Sequence, residues 1–262
     1  MKITREGNVV QLAFMPRFFP VNAYFVEEDD GLTLIDTALP FSAKGIREAA
    51  ERLGKPIRRI VLTHAHGDHI GALDALKAAL PEAEFAISAR DARLLAGDAS
   101  LEPGEHAGPI KGSVPKLGAI RSKPDILLRD GDRVGSLEAI ATPGHTPGSM
   151  SFLDTRTGAL LAGDALQLRG GIAVSGKVRP LFPFPAMATW SKEDSLASVR
   201  RLLERKPTLL AVGHGRMLAS PAKEMARAVA EAERAWHSWH TGRQDGSPGG
   251  RRKNAHVPEN RS

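Results

Sequence analysis

The chain carries its densest group of chemically versatile side chains in the run THAHGDH, residues 63–69. His64 and His66 are two residues apart, and in an extended segment such side chains project to the same side. Asp68 and His69 follow a glycine where the chain turns into a helical segment, so they can point to a neighbouring position. Imidazole and carboxylate ligands without thiolate suit zinc, and they also accept iron, manganese or cobalt. The run therefore predicts two pairs of ligands, suited to two metal ions.

Three more ligand candidates follow predicted strands further along the chain. His145 lies in the turn sequence TPGHTPGS, Asp164 closes the run LLAGD, and His214 is flanked by glycines in VGHG. Each of these residues alone is more often a surface, hydrogen-bonding or turn residue than a ligand. Loops at the ends of scaffold strands are, however, where sites are usually built. Taken together and in this order, the residues predict a metal centre.

The elements that must position these side chains are predicted from hydrophobic periodicity and turn residues. Strands are predicted at Val9–Phe14, Ala23–Glu27, Leu32–Ile35, Ile57–Leu62, Glu84–Ile87, Ile126–Arg129, Arg133–Thr142, Ser149–Leu153, Ala159–Ala162 and Leu209–Val212. Helices are predicted at Ala43–Leu53, Ile70–Ala79, Ala89–Leu95, Lys192–Glu204 and Ala222–His237. Strand runs followed twice by helix–strand units predict an α/β fold, an αββα sandwich of two mixed β-sheets flanked by helices.

The composition restricts the class of protein. The chain has 262 residues, which is enough for one large domain. Cysteine is absent, and this excludes a disulfide framework, a thiolate ligand and a cysteine nucleophile. No apolar run reaches the roughly 20 residues of a membrane helix, and the N-terminus has no secretory-signal pattern. We therefore expect a cytoplasmic protein without a membrane partner.

Half of the net charge of +6 lies at the C-terminus, where residues 241–262 contain five basic and two acidic side chains. A solvated tail explains this composition better than a nucleic-acid-binding arm does. The sequence predicts a catalytic domain at residues 1–238 and a disordered basic tail at residues 239–262. It disfavours nucleic acid as a partner and leaves the formation of a homodimer open.

The order of the motifs resembles the metallo-β-lactamase superfamily. The matching features are HxHxDH, GHTPGS, the strand-terminal Gly-Asp and the Gly-flanked His, together with the LIDT segment at residues 34–37. They extend from about Asn22 to about Met217. The resemblance implies that the first metal is held by His64, His66 and His145, that the second is held by Asp68, His69 and His214, and that Asp164 bridges both.

The resemblance also implies a mechanism. Two zinc ions, or Mn²⁺ or Fe²⁺ in their place, lower the pKa of a shared water and yield a bridging hydroxide near neutral pH. That hydroxide attacks a carbonyl or phosphoryl centre, so the implied activity is that of a dinuclear-metal hydrolase. Asp68 and His214 are the catalytic candidates, and Asp68 is also the candidate for proton handling. Metal-bound histidines need their second nitrogen fixed, and Asp36 is the candidate for that role.

The expected substrate is a small molecule: a carboxylic ester, lactone, thioester or β-lactam. The absence of cysteine disfavours the β-lactamases that use a Cys ligand, and the short region after His214 disfavours a glyoxalase II-like thioesterase. Lactonases of the superfamily share the ligand set, but the single tyrosine, Tyr24, does not match the tyrosine that they usually carry near the metals. The candidate pocket residues lie on two loops and are Phe18, Phe19, Arg169, Phe182 and Phe184. The alternative is that these phenylalanines bury their loops against the core.

Three other functions stay open at the level of the sequence. A mononuclear-iron persulfide dioxygenase of the same superfamily has a similar HxHxDH, His and Asp set. These enzymes generally do not use the last histidine as a ligand, so His214 favours the dinuclear centre. The ligand set is also compatible with a phosphodiesterase. The remaining alternative is a non-catalytic metal-binding scaffold whose basic tail binds nucleic acid.

Overall fold

A computed structural model describes residues 1–244 of the chain. Its strands are β1 (Lys2–Glu6), β2 (Val9–Phe14), β3 (Val21–Glu27), β4 (Leu32–Ile35), β5 (Ile57–Val61), β6 (Glu84–Ser88), β7 (Ile126–Leu128), β8 (Arg133–Val134), β9 (Leu137–Ala141), β10 (Met150–Asp154), β11 (Ala159–Leu161), β12 (Leu166–Gln167), β13 (Ala173–Val174), β14 (Leu209–Ala211) and β15 (Leu218–Ala219). Its α-helices are α1 (Ala43–Leu53), α2 (Gly67–Ile70), α3 (Leu73–Ala79), α4 (Ala89–Leu95), α5 (Phe184–Met187), α6 (Lys192–Glu204) and α7 (Ala222–Gln244). None of these helices is both long and apolar enough to span a bilayer.

The strands form two large mixed sheets. The first has the order β1-β2-β3-β4-β5-β6-β7, antiparallel up to β4 and parallel beyond it. The second has the order β15-β14-β11-β10-β9-β8, in which only β11 and β14 run parallel. A short hairpin of β12 and β13 follows the second sheet's strand β11.

Three apolar cores hold four layers together. One core packs α1, α3 and α4 against the first sheet, through residues such as Ile46, Leu76 and Leu94. A second lies between the two sheets and includes Val26 and Phe152. The third packs α6 and α7 against the outer face of the second sheet. Because strand side chains alternate, successive residues of one strand serve different cores. The predicted αββα sandwich of two mixed sheets is therefore confirmed.

The helices begin and end at the residues that favour those positions. The side chains of Ser88 and Ser191 accept hydrogen bonds from the backbone N–H groups of Asp91 and Asp194, which caps α4 and α6. Gly54 ends α1 in the left-handed conformation, with φ +65°. These caps fix where each strand–helix connection turns, and so they fix the loops at the strand ends.

The structure differs from the prediction in several elements. The predicted helix Ile70–Ala79 is interrupted, because the N–H of Gly71 donates to the carbonyl of Ala38 instead of continuing the helix. The predicted strand Arg133–Thr142 is a hairpin of β8 and β9. β1 was not predicted because its side chains are mostly exposed and charged. The last helix extends to Gln244, past the predicted boundary at residue 238, while residues 245–262 lie outside the described residues. The boundary of the basic tail stays a prediction.

Candidate metal centre

All the candidate ligands lie in loops at the carboxyl ends of strands, at one edge of the sandwich. His64, His66, Asp68 and His69 follow β5, His145 follows β9, Asp164 follows β11 and His214 follows β14. Asp68 is partly exposed, with 23% of its side chain accessible, and the other six residues are buried. The seven side chains predicted to bind metal therefore come together in the structure.

The candidate ligand atoms form three overlapping groups, and within each group the atoms lie within 4.8 Å of one another. The groups are His64–His66–His145, His64–His69–Asp164 and Asp68–His69–His214. The carboxylate of Asp164 lies between them. Its Oδ2 is 3.4 Å from Nε2 of His145 and 3.1 Å from Nε2 of His214, and its Oδ1 is 3.5 Å from Nε2 of His69. A single carboxylate thus faces donors from both ends of the cluster.

Backbone carbonyls fix the tautomers of His66 and His214. Nε2 of His66 is 2.8 Å from the carbonyl oxygen of Lys111, and Nδ1 of His214 is 2.7 Å from that of Pro20. A carbonyl oxygen can only accept, so these two nitrogens must carry the proton and donate. In the neutral rings, the lone pairs then lie on Nδ1 of His66 and Nε2 of His214, and both of these atoms face the cluster.

Asp36 fixes the next two histidines, one directly and one through Thr63. Nδ1 of His69 donates to Oδ2 of Asp36 over 2.8 Å. The hydroxyl of Thr63 donates to the same carboxylate over 2.8 Å, so its oxygen accepts from Nδ1 of His64 over 3.0 Å. Nε2 of both rings therefore carries a lone pair. Asp36 adopts φ +59°, an uncommon conformation for a residue other than glycine, and it occupies the orienting position predicted from the sequence.

A chain of hydroxyl groups fixes His145 in the same way. The hydroxyl of Thr189 donates to the carbonyl of Pro185 over 2.7 Å. Its oxygen therefore accepts from the hydroxyl of Ser175 over 2.8 Å, and Ser175 in turn accepts from Nδ1 of His145 over 3.0 Å. Nε2 of His145 is left with a lone pair that points into the cluster. In their neutral forms, all five histidines thus donate outward and present a lone pair inward.

This arrangement fits bound cations. Nδ1 of His66 and Nε2 of His145 face each other over 2.9 Å. Among the described residues, Nε2 of His64, Nε2 of His69 and Oδ1 of Asp164 are buried without a hydrogen-bond partner. Buried lone pairs that converge without donors are unfavourable unless a cation takes them. Neutral imidazoles and ionised carboxylates are the donor set that divalent metal ions take in proteins, so the cluster implies divalent metal ions.

The pKa shifts show that burial resists positive charge in part of the cluster, whereas the carboxylates draw it to another part. Burial lowers the pKa of His64 and His145 well below the ordinary value. Burial opposes protonation of His69 too, but Asp164 and the other nearby carboxylates outweigh it and raise the pKa of His69 well above its ordinary value. Burial alone would raise the pKa of Asp164, yet His214 and His69 hold it well below its usual range. Protons and divalent cations therefore compete for the same atoms.

The loop that carries His214 is held by polar side chains that the sequence did not reveal. Nδ2 of Asn22 donates to the carbonyls of Val212 and Gly215, and the hydroxyl of Tyr24 donates to Val212 over 2.6 Å. A Cβ at Gly213 would clash with Oδ1 of Asp164, so only glycine allows this close approach. Burial raises the pKa of Tyr24, which stays a neutral hydrogen-bonding group. Its position in a strand gave no sign of this role.

A cavity of about 380 Å³ opens above the cluster. Its lining residues are Phe19, His66, Asp68, Gly112, Ser113, His145, Asp164, Phe184, Pro185, Met187, Ala188 and His214. Phe19 and Phe184 thus lie where the pocket prediction places them, with ring centroids 5.1 Å apart. The cavity wall is mostly apolar.

The other three predicted pocket residues lie elsewhere. Phe18 is 82% exposed and is not among the lining residues, because the turn after Met15 directs only the next side chain inward. Arg169 donates to the carbonyl of Arg17 and faces a different groove. Phe182 is buried behind the wall, where it packs against the rings of Phe19, Phe184 and His214. It therefore supports the pocket without lining it.

Known proteins resemble this chain over most of its length. The uncharacterized protein YobT of Bacillus subtilis is 56% identical over 89% of this chain and all of its own length. The probable metallo-hydrolase YflN of the same organism is 32% identical over 80% of this chain and 83% of its own. The human mitochondrial persulfide dioxygenase ETHE1 is 29% identical over 63% of this chain and 57% of its own. At the level of the superfamily, the probable metallo-hydrolase among these relatives supports a metal-dependent hydrolase.

The fold and the family model agree with these relatives. The crystal structure of TTHA1623 in a di-iron-bound form superposes with a TM-score of 0.60 and 26% identity, over 83% of this chain and 97% of that chain. Residues 16–214 match the family model of the metallo-beta-lactamase superfamily, and this range contains all seven candidate ligands. The chain therefore belongs to the metallo-β-lactamase superfamily.

Proposed function

We propose that the protein is a dinuclear-metal hydrolase that acts on a small carboxylic ester, lactone or thioester. The observation that carries the proposal is the convergence of five imidazole lone pairs and two carboxylates in groups that overlap at His64 and His69, with Asp164 facing His145 and His214 as well. One ion would be held by His64, His66 and His145, the other by Asp68, His69 and His214, and Asp164 would face both. Zinc is the metal that we propose, and the same donors accept Mn²⁺ or Fe²⁺.

When bound, two divalent ions supply a water of lowered pKa and a Lewis acid for the carbonyl oxygen of the substrate. The protein's own side chains must then hold the substrate and move protons. Asp68 lines the cavity, and its Oδ2 lies 3.5 Å from Nε2 of His214. Because its side chain is also 23% exposed, Asp68 is the ligand best placed to take a proton and pass it to the leaving group.

The cavity favours substrates without a charged group. None of the described residues that line it is a lysine or an arginine, and Ser113 is the only hydroxyl in the wall. Phe19, Phe184, Pro185 and Met187 offer an apolar surface. β-Lactams and glutathione thioesters carry carboxylates that this wall does not neutralise. Neutral esters and lactones fit the wall better, so we rank them first among the substrates.

A second candidate function is supported by the similarity to the persulfide dioxygenase. An enzyme of that type with a single iron would not use His214 as a ligand. Here the ring of His214 is buried, its outward nitrogen donates to Pro20, and its lone pair faces Asp164. This geometry favours the dinuclear hydrolase. Activity on phosphodiesters, or a non-catalytic scaffold with a nucleic-acid-binding tail, has no comparable support among the described residues.

The proposal can be tested by measuring acid release in a pH-stat. The zinc-loaded protein is offered a neutral aryl ester, an acyl-homoserine lactone, a glutathione thioester and a cephalosporin, each with and without a chelator. We expect release that the chelator abolishes, fastest on the neutral ester or the lactone. Release that resists the chelator contradicts the metal-dependent mechanism. Inactivity on all four, together with oxygen uptake by the iron-loaded protein on glutathione persulfide, supports the dioxygenase instead.

A further inference from the structure

A second buried carboxylate, Asp91, lies close to the centre without touching any of its ligands. It belongs to the first turn of α4 and is fully buried. Its Oδ2 accepts from the backbone N–H of Ala65 over 2.9 Å and from the hydroxyl of Thr146 over 2.7 Å. Its Oδ1 accepts from the backbone N–H of Gly148 over 2.9 Å. One side chain thus joins two loops that are about 80 residues apart in the sequence.

The two loops joined by Asp91 carry one complete set of proposed ligands. Ala65 separates His64 from His66, and Thr146 directly follows His145. These three histidines form one of the ligand groups, and Nδ1 of His66 lies 2.9 Å from Nε2 of His145. The distance between the two loops therefore sets the distance between the donors of the first ion.

The loops are built to approach this carboxylate closely. A Cβ at Gly148 would lie 2.6 Å from Oδ1 of Asp91 and 2.7 Å from Oγ of Ser88, so no larger residue fits there. The hydroxyl of Ser88 donates to the carbonyl of Gly148 over 2.6 Å and caps the N–H of Asp91. Burial raises the pKa of Asp91 to about 6, although its hydrogen bonds lower it. At neutral pH the carboxylate is therefore mostly ionised and can accept all three bonds.

Asp36 acts on the cluster by a different route. It accepts directly from Nδ1 of His69, a ligand in the group with Asp68 and His214. It also accepts from both the N–H and the hydroxyl of Thr63. Asp36 therefore orients imidazole rings, whereas Asp91 holds backbone segments. The two carboxylates thus act on the centre by different contacts, although Asp36 also reaches His64 through Thr63.

We propose that Asp91 is a positioning residue that selectively sets the site of the first ion, the one held by His64, His66 and His145. The proposal rests on the two-ion centre proposed above. Removing the charge of Asp91 should lower the affinity of the protein for the first ion by about 10–100-fold. This is the range found when outer partners of metal ligands are lost. The second ion, held by Asp68, His69 and His214, should keep its affinity.

The variant Asp91→Asn tests this selectively, because an amide keeps the size of the side chain but presents one acceptor and one donor. In either orientation, its NH₂ group faces the N–H of Ala65 or that of Gly148, and a backbone N–H cannot turn away. One of the two loops must then shift. The matched control is Asp74→Asn, since Asp74 also accepts two backbone N–H groups and a hydroxyl, from Arg121 and Ser122, but holds neither ligand loop.

The readout is Co²⁺ titration of the metal-free full-length protein, followed by proton NMR of the paramagnetically shifted imidazole N–H signals. The wild-type protein should show five such exchangeable signals when two ions are bound, one from each outward-donating histidine. At a Co²⁺ concentration that saturates the wild-type protein, Asp91→Asn should keep the two signals of His69 and His214 and lose the other three. Asp74→Asn should keep all five.

The outcomes separate the two proposals. The positioning role is overturned if Asp91→Asn shows all five signals with unchanged Co²⁺ affinity. It is also overturned if the affinities for both ions fall equally. A wild-type protein that takes up only one ion overturns the two-ion centre and the selective role with it. If Asp91→Asn does not fold, Thr146→Val removes one bond to the carboxylate, and Thr146→Ser keeps it. Weaker first-ion binding in Thr146→Val that Thr146→Ser restores supports the role, and equal affinity in the two variants overturns it.

Discussion

The cluster of candidate metal ligands and the cavity wall above it are built on opposite principles. In the cluster, each imidazole is buried and its outward nitrogen has a fixed acceptor. In the wall, the side chains of Phe184 and Met187 are apolar and 52% and 68% exposed. The wall comes from loops and the short helix α5, whereas the cluster follows the ends of strands. The geometry of the cluster is therefore imposed by hydrogen bonds from outside it, whereas the apolar side chains of the wall are placed by packing alone.

The difference separates what the two regions can decide. Fixed donors with determined tautomers decide whether metal ions bind and where. Apolar side chains at the rim decide which acyl or alcohol groups leave water for the cavity. We therefore expect changes in the cluster to affect every substrate alike, and changes in the wall to affect substrates according to their apolar surface. The predictions below test this contrast, beginning with the largest effect.

Asp164→Ala should have the largest effect. It removes the carboxylate that faces His69, His145 and His214, so both ions of the proposed centre would lose a ligand and the lone pairs would lose their counter-charge. We expect turnover on any substrate to fall by well over ~100-fold, which is the upper range for losing an outer partner of a ligand. Metal analysis should show reduced content, and circular dichroism should show a retained fold. The control Asp98→Ala removes an exposed carboxylate from a surface loop and should keep both ions.

Asp36→Asn should have the next largest effect. The amide cannot accept from His69 and from both donors of Thr63 at once, so the tautomer of His69 is no longer imposed. We expect metal affinity to fall by about 10–100-fold and activity to return at high metal concentration. Turnover measured against free Zn²⁺ concentration checks this. Wild-type metal dependence in this variant would show that Asp36 only stabilises the strand end.

The same contrast explains how much the sequence could reveal. The convergence of the seven candidate ligands was predictable because each stands at the end of a strand in a short local motif, and strand ends meet at one edge of a sandwich. The fold class followed from strand and helix periodicity. Asp36 was also predictable, since it ends β4 in the segment LIDT. Each of these features depends on residues that are adjacent in the sequence, which is why the sequence alone predicts them.

Asp91 was not predictable, and the wall was predictable only in part, for the opposite reason. The partners of Asp91 are 26, 55 and 57 residues away, while its local sequence SARD indicates only a capped helix, which it also forms. In the loops, no periodicity fixes the direction of a side chain. Phe18 and Phe19 are neighbours of the same type, yet one is exposed and the other lines the cavity. Their roles depend on tertiary contacts.

Phe19→Ala should have a smaller and substrate-dependent effect. The ring of Phe19 lies 5.1 Å from that of Phe184 and 5.5 Å from that of His214, so its loss opens the wall beside the cluster. We expect kcat/KM for an apolar ester to fall by about 10-fold or more, as for other losses of contact in an apolar pocket. For two esters of the same alcohol, kcat/KM should fall much less for the acetate than for the hexanoate. The metal content should stay unchanged. An equal loss of kcat/KM on both esters would show that Phe19 acts by holding the ring of His214 in place rather than by contacting the substrate.

Phe18→Ala should have the smallest effect and is the sharpest control for the wall. Phe18 is 82% exposed, so truncating it removes little packing, and surface changes usually alter stability by less than ~0.5 kcal/mol. We expect kcat/KM to change by less than about twofold on both esters. Thermal unfolding and kinetics alongside Phe19→Ala check this, because the two variants remove the same atoms from adjacent positions. A loss on the hexanoate ester as large as that of Phe19→Ala would extend the wall outward to Phe18, so that long acyl chains contact the exposed rim as well as the cavity.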